Sequence, residues 1–106
     1  MNFDHYRMMA AIIALEHGIV FFEEGVVSLD KFWPLLDQMR TEGAIVLLQF
    51  NGEEGESNRH PYTGILGIPD GEHFRIEADS MEDALAYLVV NYARSQWGFV
   101  ESLPDA

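Results

Sequence analysis

The stretch Ala44-Ile45-Val46-Leu47-Leu48-Gln49-Phe50 has a single polar side chain and lies between Gly43 and the polar Asn51-Gly52-Glu53-Glu54. It is too short for a stable helix and carries branched side chains suited to a pleated surface, so it must be a strand. A nearly unbroken apolar run is the pattern of a strand covered on both faces, which predicts a central place in a sheet. A sheet needs neighbours, and the sequence supplies them downstream. Tyr62–Ile68 reads as a second strand. Pro69-Asp70-Gly71-Glu72 has the residues of a tight turn, and His73–Ala78 alternates so that Phe74, Ile76 and Ala78 share one face. The predicted unit is a three-stranded antiparallel meander, half exposed at its last strand.

Helices flank this unit. Asp79 and Ser80 open a helix in which Leu85, Leu88, Val89 and Tyr92 form one apolar stripe and Ala86, Val90, Ala93 and Trp97 a second. Ser80 with Asp83 makes a near-capping box, and Glu82 suits the positive end of the helix dipole. Ahead of the meander, Leu29, Phe32, Leu36 and Met39 recur at helical spacing. Ser28 or Asp30 is available as a cap, Pro34 is tolerable only in the first turn, and Gly43 is the terminator, so a regular helix is predicted from near Lys31 to Glu42. The N-terminal segment Phe3–Glu16 predicts another helix, apolar all round in its middle and closed at His17-Gly18. Between these helices, Ile19–Phe22 and Val26-Val27 around Glu23-Glu24-Gly25 have the composition of a short hairpin. The expected fold is one α+β domain over residues 1–106, with a single-layer three-stranded antiparallel sheet packed by helices in the order α-(hairpin)-α-β-β-β-α. Residues 51–61 are expected to form a mobile acidic loop, and residues 98–106 a partly ordered tail.

Two helices that are apolar on more than one face predict either double coverage within the chain or a seam between copies. A homodimer through the first and last helices is therefore an expectation. The hydrophobic fraction of 48% in 106 residues fits one ordinary core. The Met8–Leu15 run stops well short of the about 20 apolar residues a membrane helix needs, and it is flanked by Asp4 and Glu16, so a soluble cytoplasmic protein is expected.

Charge narrows the function classes. Eighteen Asp plus Glu against six Lys plus Arg give a net charge of −12. Such a surface repels phosphate, which disfavours direct binding of nucleic acids and of anionic membranes, and it attracts basic protein surfaces. No cysteine is present, so disulfides, thiolate metal sites and cysteine nucleophiles are ruled out. The serines sit in no nucleophile elbow, and His5, His17, His60 and His73 have no helical zinc spacing. The segment Gly52–Glu56 lacks the ordered ligand spacing of a calcium loop. No catalytic residue, metal or cofactor is assigned. The aromatic residues Phe21, Phe22, Phe32, Phe50, Tyr62 and Phe74 read as core. Trp33, off the main stripe of its helix, and Trp97, at the end of a stripe, read as candidate interface anchors. The candidate partner-binding carboxylates are Glu53, Glu54, Glu56, Asp70, Glu72, Glu77, Asp79, Glu82 and Asp83.

From Lys31 to Arg94, the helix–strand–strand–strand–helix order with its Ala-Asp-Ser helix start resembles the double-stranded-RNA-binding domain. In that family the last helix opens with lysines on phosphates; here Ser80-Met81-Glu82-Asp83 stands in that place, so the resemblance implies the topology without RNA binding. Phe32-Trp33-Pro34-Leu35-Leu36 and Phe74-Arg75-Ile76-Glu77-Ala78-Asp79 are similar to segments of small phage proteins of the "ABA sandwich" type, which implies a phage or mobile-element origin. Together with the charge, this predicts a small acidic inhibitor that occupies the basic nucleic-acid-binding surface of a defence complex, as anti-CRISPR or anti-restriction proteins do. The alternatives are an immunity protein that neutralises a basic toxin and a small oligomeric structural module.

Overall fold

The computed structural model describes residues 3–18, 22–23, 26–27, 29–50 and 61–100. The elements run α1 (Phe3–Glu16), β1 (Phe22–Glu23), β2 (Val26–Val27), a 3-10 turn (Leu29–Phe32), α2 (Trp33–Thr41), β3 (Ile45–Phe50), β4 (Tyr62–Gly67), β5 (His73–Ala78) and α3 (Met81–Gln96). The short hairpin is present, with Phe22 opposite Val27 and Glu23 opposite Val26. The expected α+β class and element order hold. The polar connection lies at 51–60, and the end of the tail at 101–106, both outside the described residues.

The second helix starts later than its spacing suggested. The chain first takes the 3-10 turn, and Phe32 rather than Ser28 or Asp30 occupies the cap position of α2, without a side-chain hydrogen bond. Pro34 fixes this arrangement. It sits in the first turn and has no N–H to donate to the carbonyl of Asp30, so the α-helical ladder cannot extend upstream through it. The far end closes on Gly43 at φ +98°, a left-handed conformation in which any side chain would also collide with Pro69. α3 opens as its sequence predicts: the Ser80 hydroxyl accepts a hydrogen bond from the Asp83 backbone N–H at 3.1 Å.

The sheet order is β3-β4-β5, fully antiparallel. Leu48 and Ile76 both lie opposite Gly64, and the missing side chain of Gly64 would point at Leu88 and Ala84 of α3. Val46, Leu48, Phe50, Tyr62, Leu66, Phe74, Ile76 and Ala78 therefore share the helix-facing side. α3 lies over β4 and β5, and α1 packs on the other side of α3. This makes α3 the centre of the core. Ala84, Leu85, Ala86, Leu88, Val89, Val90, Tyr92 and Ala93 are all buried, along with Met9, Ala10, Ile13 and Ala14 of α1, Phe32 just before α2, and Leu35 and Met39 within it. The two stripes of α3, which could have formed a seam between copies, are filled within one chain by the sheet and by α1.

The prediction for Ala44–Phe50 needs correction. Among the described residues β3 is not the central strand but an edge strand. Ile45, Leu47 and Phe50 are 64%, 57% and 67% exposed, and Phe50 is not core. The apolar run fixes a strand, but α3 is centred over β4 and β5, so neither face of β3 is fully covered.

Candidate functional site

The two edges of the sheet have opposite characters. On the outer face, β3 contributes Ile45, Leu47 and Gln49, β4 contributes Thr63, Ile65 and Gly67, and β5 contributes His73, Arg75 and Glu77. Apolar surface at one edge thus gives way to charge at the other.

The β5 edge gathers most of the described candidate carboxylates. Asp70 and Glu72 sit in the β4–β5 turn, where Gly71 N–H donates to the Ile68 carbonyl at 2.8 Å. Glu72 accepts from the Ser95 hydroxyl at 2.7 Å and Asp70 from the Gln96 amide at 3.5 Å, which ties this turn to the end of α3. Glu77 is on the outer face, paired with Arg75 at 3.0 Å. Asp79 is exposed just beyond the strand, and Glu82 is half-buried in the first turn of α3. The length of β5 separates the two ends by about 20 Å at roughly 3.3 Å per residue, so the acids form a band along the edge rather than one patch. Glu53, Glu54 and Glu56 lie outside the described residues.

Asp83 does not belong to that band. It is buried, and its carboxylate accepts from Arg7 of α1 at 2.9 Å. Arg7 also pairs with Asp4, and this hydrogen bond leads, against a smaller cost of burial, in holding the guanidinium above its ordinary pKa. The bridge pins α1 to the start of α3. Replacing Asp83 with alanine is expected to destabilise the fold by about 1–2 kcal/mol, below the usual loss for a fully buried pair because Arg7 stays partly hydrated. Urea unfolding measures this; an unchanged midpoint would show that the bridge contributes nothing.

Trp97 is likewise engaged inside the molecule. Its indole N–H donates to Glu42 at 2.9 and 3.1 Å, its ring meets Tyr92 edge-on at 5.2 Å, and His17 lies 4.6 Å away on another side. The Glu42 carboxylate also accepts from the Tyr92 hydroxyl at 2.7 Å and from the Gln38 amide at 2.7 Å. Burial alone would raise the Glu42 pKa, but the hydrogen bonds from Gln38, Tyr92 and Trp97 prevail and hold it below the ordinary carboxylate value. A carboxylate stabilised as an anion by several donors is a poor proton acceptor, so this cluster works as a clamp between the ends of α2 and α3. In the sequence Glu42 reads only as a helix end. Its i, i+4 spacing from Gln38 was the one local signal.

Trp33 is different: it is 66% exposed. With Leu36, Asp37, Arg40, Ala44, Val46 and Leu48 it lines an open groove of about 400 Å³ between α2 and β3. A smaller hollow of about 110 Å³ continues from Trp33 to Met81 and Leu85 at the start of α3. Arg40 Nε donates to Asp37 at 2.9 Å, which leaves the groove's rim neutral. Among the described residues no group of three potential metal ligands comes together, and no helix is long and apolar enough to cross a membrane. Comparison with known protein families, curated proteins and solved structures returns no match.

Proposed function

We propose that this chain is a non-catalytic binding protein whose carboxylate band along β5 engages a cationic protein surface, as an inhibitor filling the nucleic-acid-binding face of a defence complex would. The observation that carries the reading is the alignment of Asp70, Glu72, Glu77, Asp79 and Glu82 along one edge of a chain with net charge −12. Carboxylates at strand-end spacing can meet lysine and arginine side chains placed to receive phosphates, and the wider negative field speeds the encounter. The same field repels nucleic acid itself.

The test replaces these five residues with Asn or Gln and compares capture of the partner from the native host with that by the natural chain. The partner is expected to be held at about 0.1 M salt and released toward 1 M, where the Debye length falls from about 10 Å to about 3 Å. The five-amide variant should capture none. Retention of the same partner by that variant, or retention in high salt, would rule the reading out.

A further inference from the structure

We infer that β3 pairs antiparallel with β3 of a second copy of this chain, joining two three-stranded sheets into one six-stranded sheet. Among the described residues only β4 hydrogen-bonds to β3, so the other side of the strand presents a row of backbone donors and acceptors. Proteins usually guard such an edge with charge, proline or a bulge. The β5 edge is guarded by Arg75 and Glu77 and flanked by Glu72 and Asp79. β3 has none of these devices: Ile45–Phe50 contains no charged residue and no proline, and its ladder with β4 runs unbroken from Ile45 opposite Gly67 to Phe50 opposite Tyr62.

The side chains match this edge. Ile45 and Leu47 are exposed on the outer face, while Leu48, Phe50 and Trp33 are exposed on the helix side. Summed over the two opposite faces of the strand, they leave on the order of 600 Å² of apolar surface in water. That is most of the roughly 800 Å² per partner that a standard interface buries, before the backbone ladder and rim are added.

The occupant follows from charge and symmetry. Among the described residues of a chain of net charge −12, this edge is neutral: the strand is uncharged, and the groove beside it is balanced by Arg40 and Asp37. A strongly cationic segment finds no matching surface here, whereas a neutral apolar strand does, and a second copy supplies one. Antiparallel self-pairing has its two-fold axis normal to the sheet, so residues that meet across it come from the same face. With the axis at Leu48, Leu48 meets its own copy and Val46 meets Phe50. With the axis at Leu47, Val46 meets Leu48 and Ile45 meets Gln49. Either register keeps both helical layers on one side, brings the two Trp33 grooves together, and sends the two acidic β5 edges to the far ends of the sheet.

Sedimentation equilibrium of the full chain tests this, up to roughly millimolar concentration. A dimer is expected that tightens as salt rises from about 0.1 to 1 M, because screening relieves repulsion between the two acidic copies. That trend is opposite to the one expected for a cationic partner, so the two readings fail separately. Leu47→Glu, at an already exposed position, should leave the circular dichroism spectrum unchanged and weaken the dimer at least about tenfold. The natural chain has no cysteine, which allows a second measurement. Facing Cα atoms in an antiparallel pair lie about 4.5–5.5 Å apart, within disulfide range. Leu47→Cys or Leu48→Cys should therefore give a covalent dimer on mild oxidation, and Arg75→Cys on β5 should not. A monomer at every concentration in both salts overturns the inference. So does a dimer that withstands Leu47→Glu but is lost with Leu15→Glu on α1, or the failure of both β3 cysteines to cross-link.

Discussion

Gly64→Val is expected to cost about 3 kcal/mol or more, which removes more than half of the stability of a domain at the low end of the usual range. Glycine inside a strand is ordinarily a weakness, and a larger residue there adds stability. Here the missing side chain makes room for the central helix. A Cβ on Gly64 would lie 3.1 Å from a Leu88 methyl, 3.4 Å from Ile76 and 3.5 Å from Ala84. Leu88 and Ala84 are fully buried, with α1 behind the helix, so α3 cannot retreat without opening its other interface. Alanine at Gly64 forces only a shift of Leu88, for about 1 kcal/mol, while valine adds two methyl groups to a filled layer. Gly67 is the control. It belongs to the same strand, and its added Cβ would meet His73 and Ile45 at ordinary contact distances. Gly67→Ala should therefore be neutral or slightly stabilising. Thermal unfolding separates the two positions, since each kcal/mol shifts the midpoint by about 4–8 °C in a domain of this size. If both substitutions behave alike, close approach of α3 is not the reason for glycine at Gly64.

Gly64 also illustrates how far local patterns reach. The three strands, the tight turn at Asp70-Gly71 and the Ser80 cap could be read from residues a few positions apart, because hydrogen-bonding turns and caps are local. Which strand lies at the edge is not local. The run Ile45–Phe50 looks covered because apolar side chains usually are, yet coverage depends on where α3 settles, and that depends on the spacing Gly64 permits. The same separation hid two side-chain roles. Asp83 at a helix start looks like a solvated carboxylate until Arg7, 76 positions away, is found against it. Glu42 is an ordinary helix-end residue until Tyr92 and Trp97, 50 and 55 positions on, close over it. Of the candidate binding residues, those on the β5 edge are placed together by one strand and its flanking turns. Trp33 faces a different groove, and Trp97 is committed to the core's rim. The exposed apolar strand was visible as a sequence but not as a surface.

Tyr92→Ala is expected to cost about 3–5 kcal/mol, the loss typical of removing a fully buried aromatic ring, and Tyr92→Phe about 1–2 kcal/mol. The difference between the two isolates the ring from the hydroxyl. The ring packs in the core and against Trp97, and the hydroxyl donates to Glu42. The phenylalanine variant carries a further signature in its pH dependence. Glu42 is held below its ordinary pKa of 4.5 in the native state, so its contribution is present above that value and is lost as pH falls through the lowered native one. Burial, reinforced by the Glu42 carboxylate, pushes the Tyr92 hydroxyl above its ordinary value of 10.0. The native state therefore keeps a proton that the unfolded chain gives up, and this contribution is complete below pH 10 and declines above it. The stability gap between the natural chain and Tyr92→Phe should be widest and flat between about pH 5 and pH 9. It should narrow toward acid as Glu42 takes up a proton, and toward alkali as the unfolded phenol ionises. Urea unfolding across this range measures the gap directly. A gap that stays constant from acid to alkali would mean that the hydroxyl and the carboxylate do not stabilise one another, and the ends of α2 and α3 would then be held by the Trp97–Glu42 hydrogen bond and by packing.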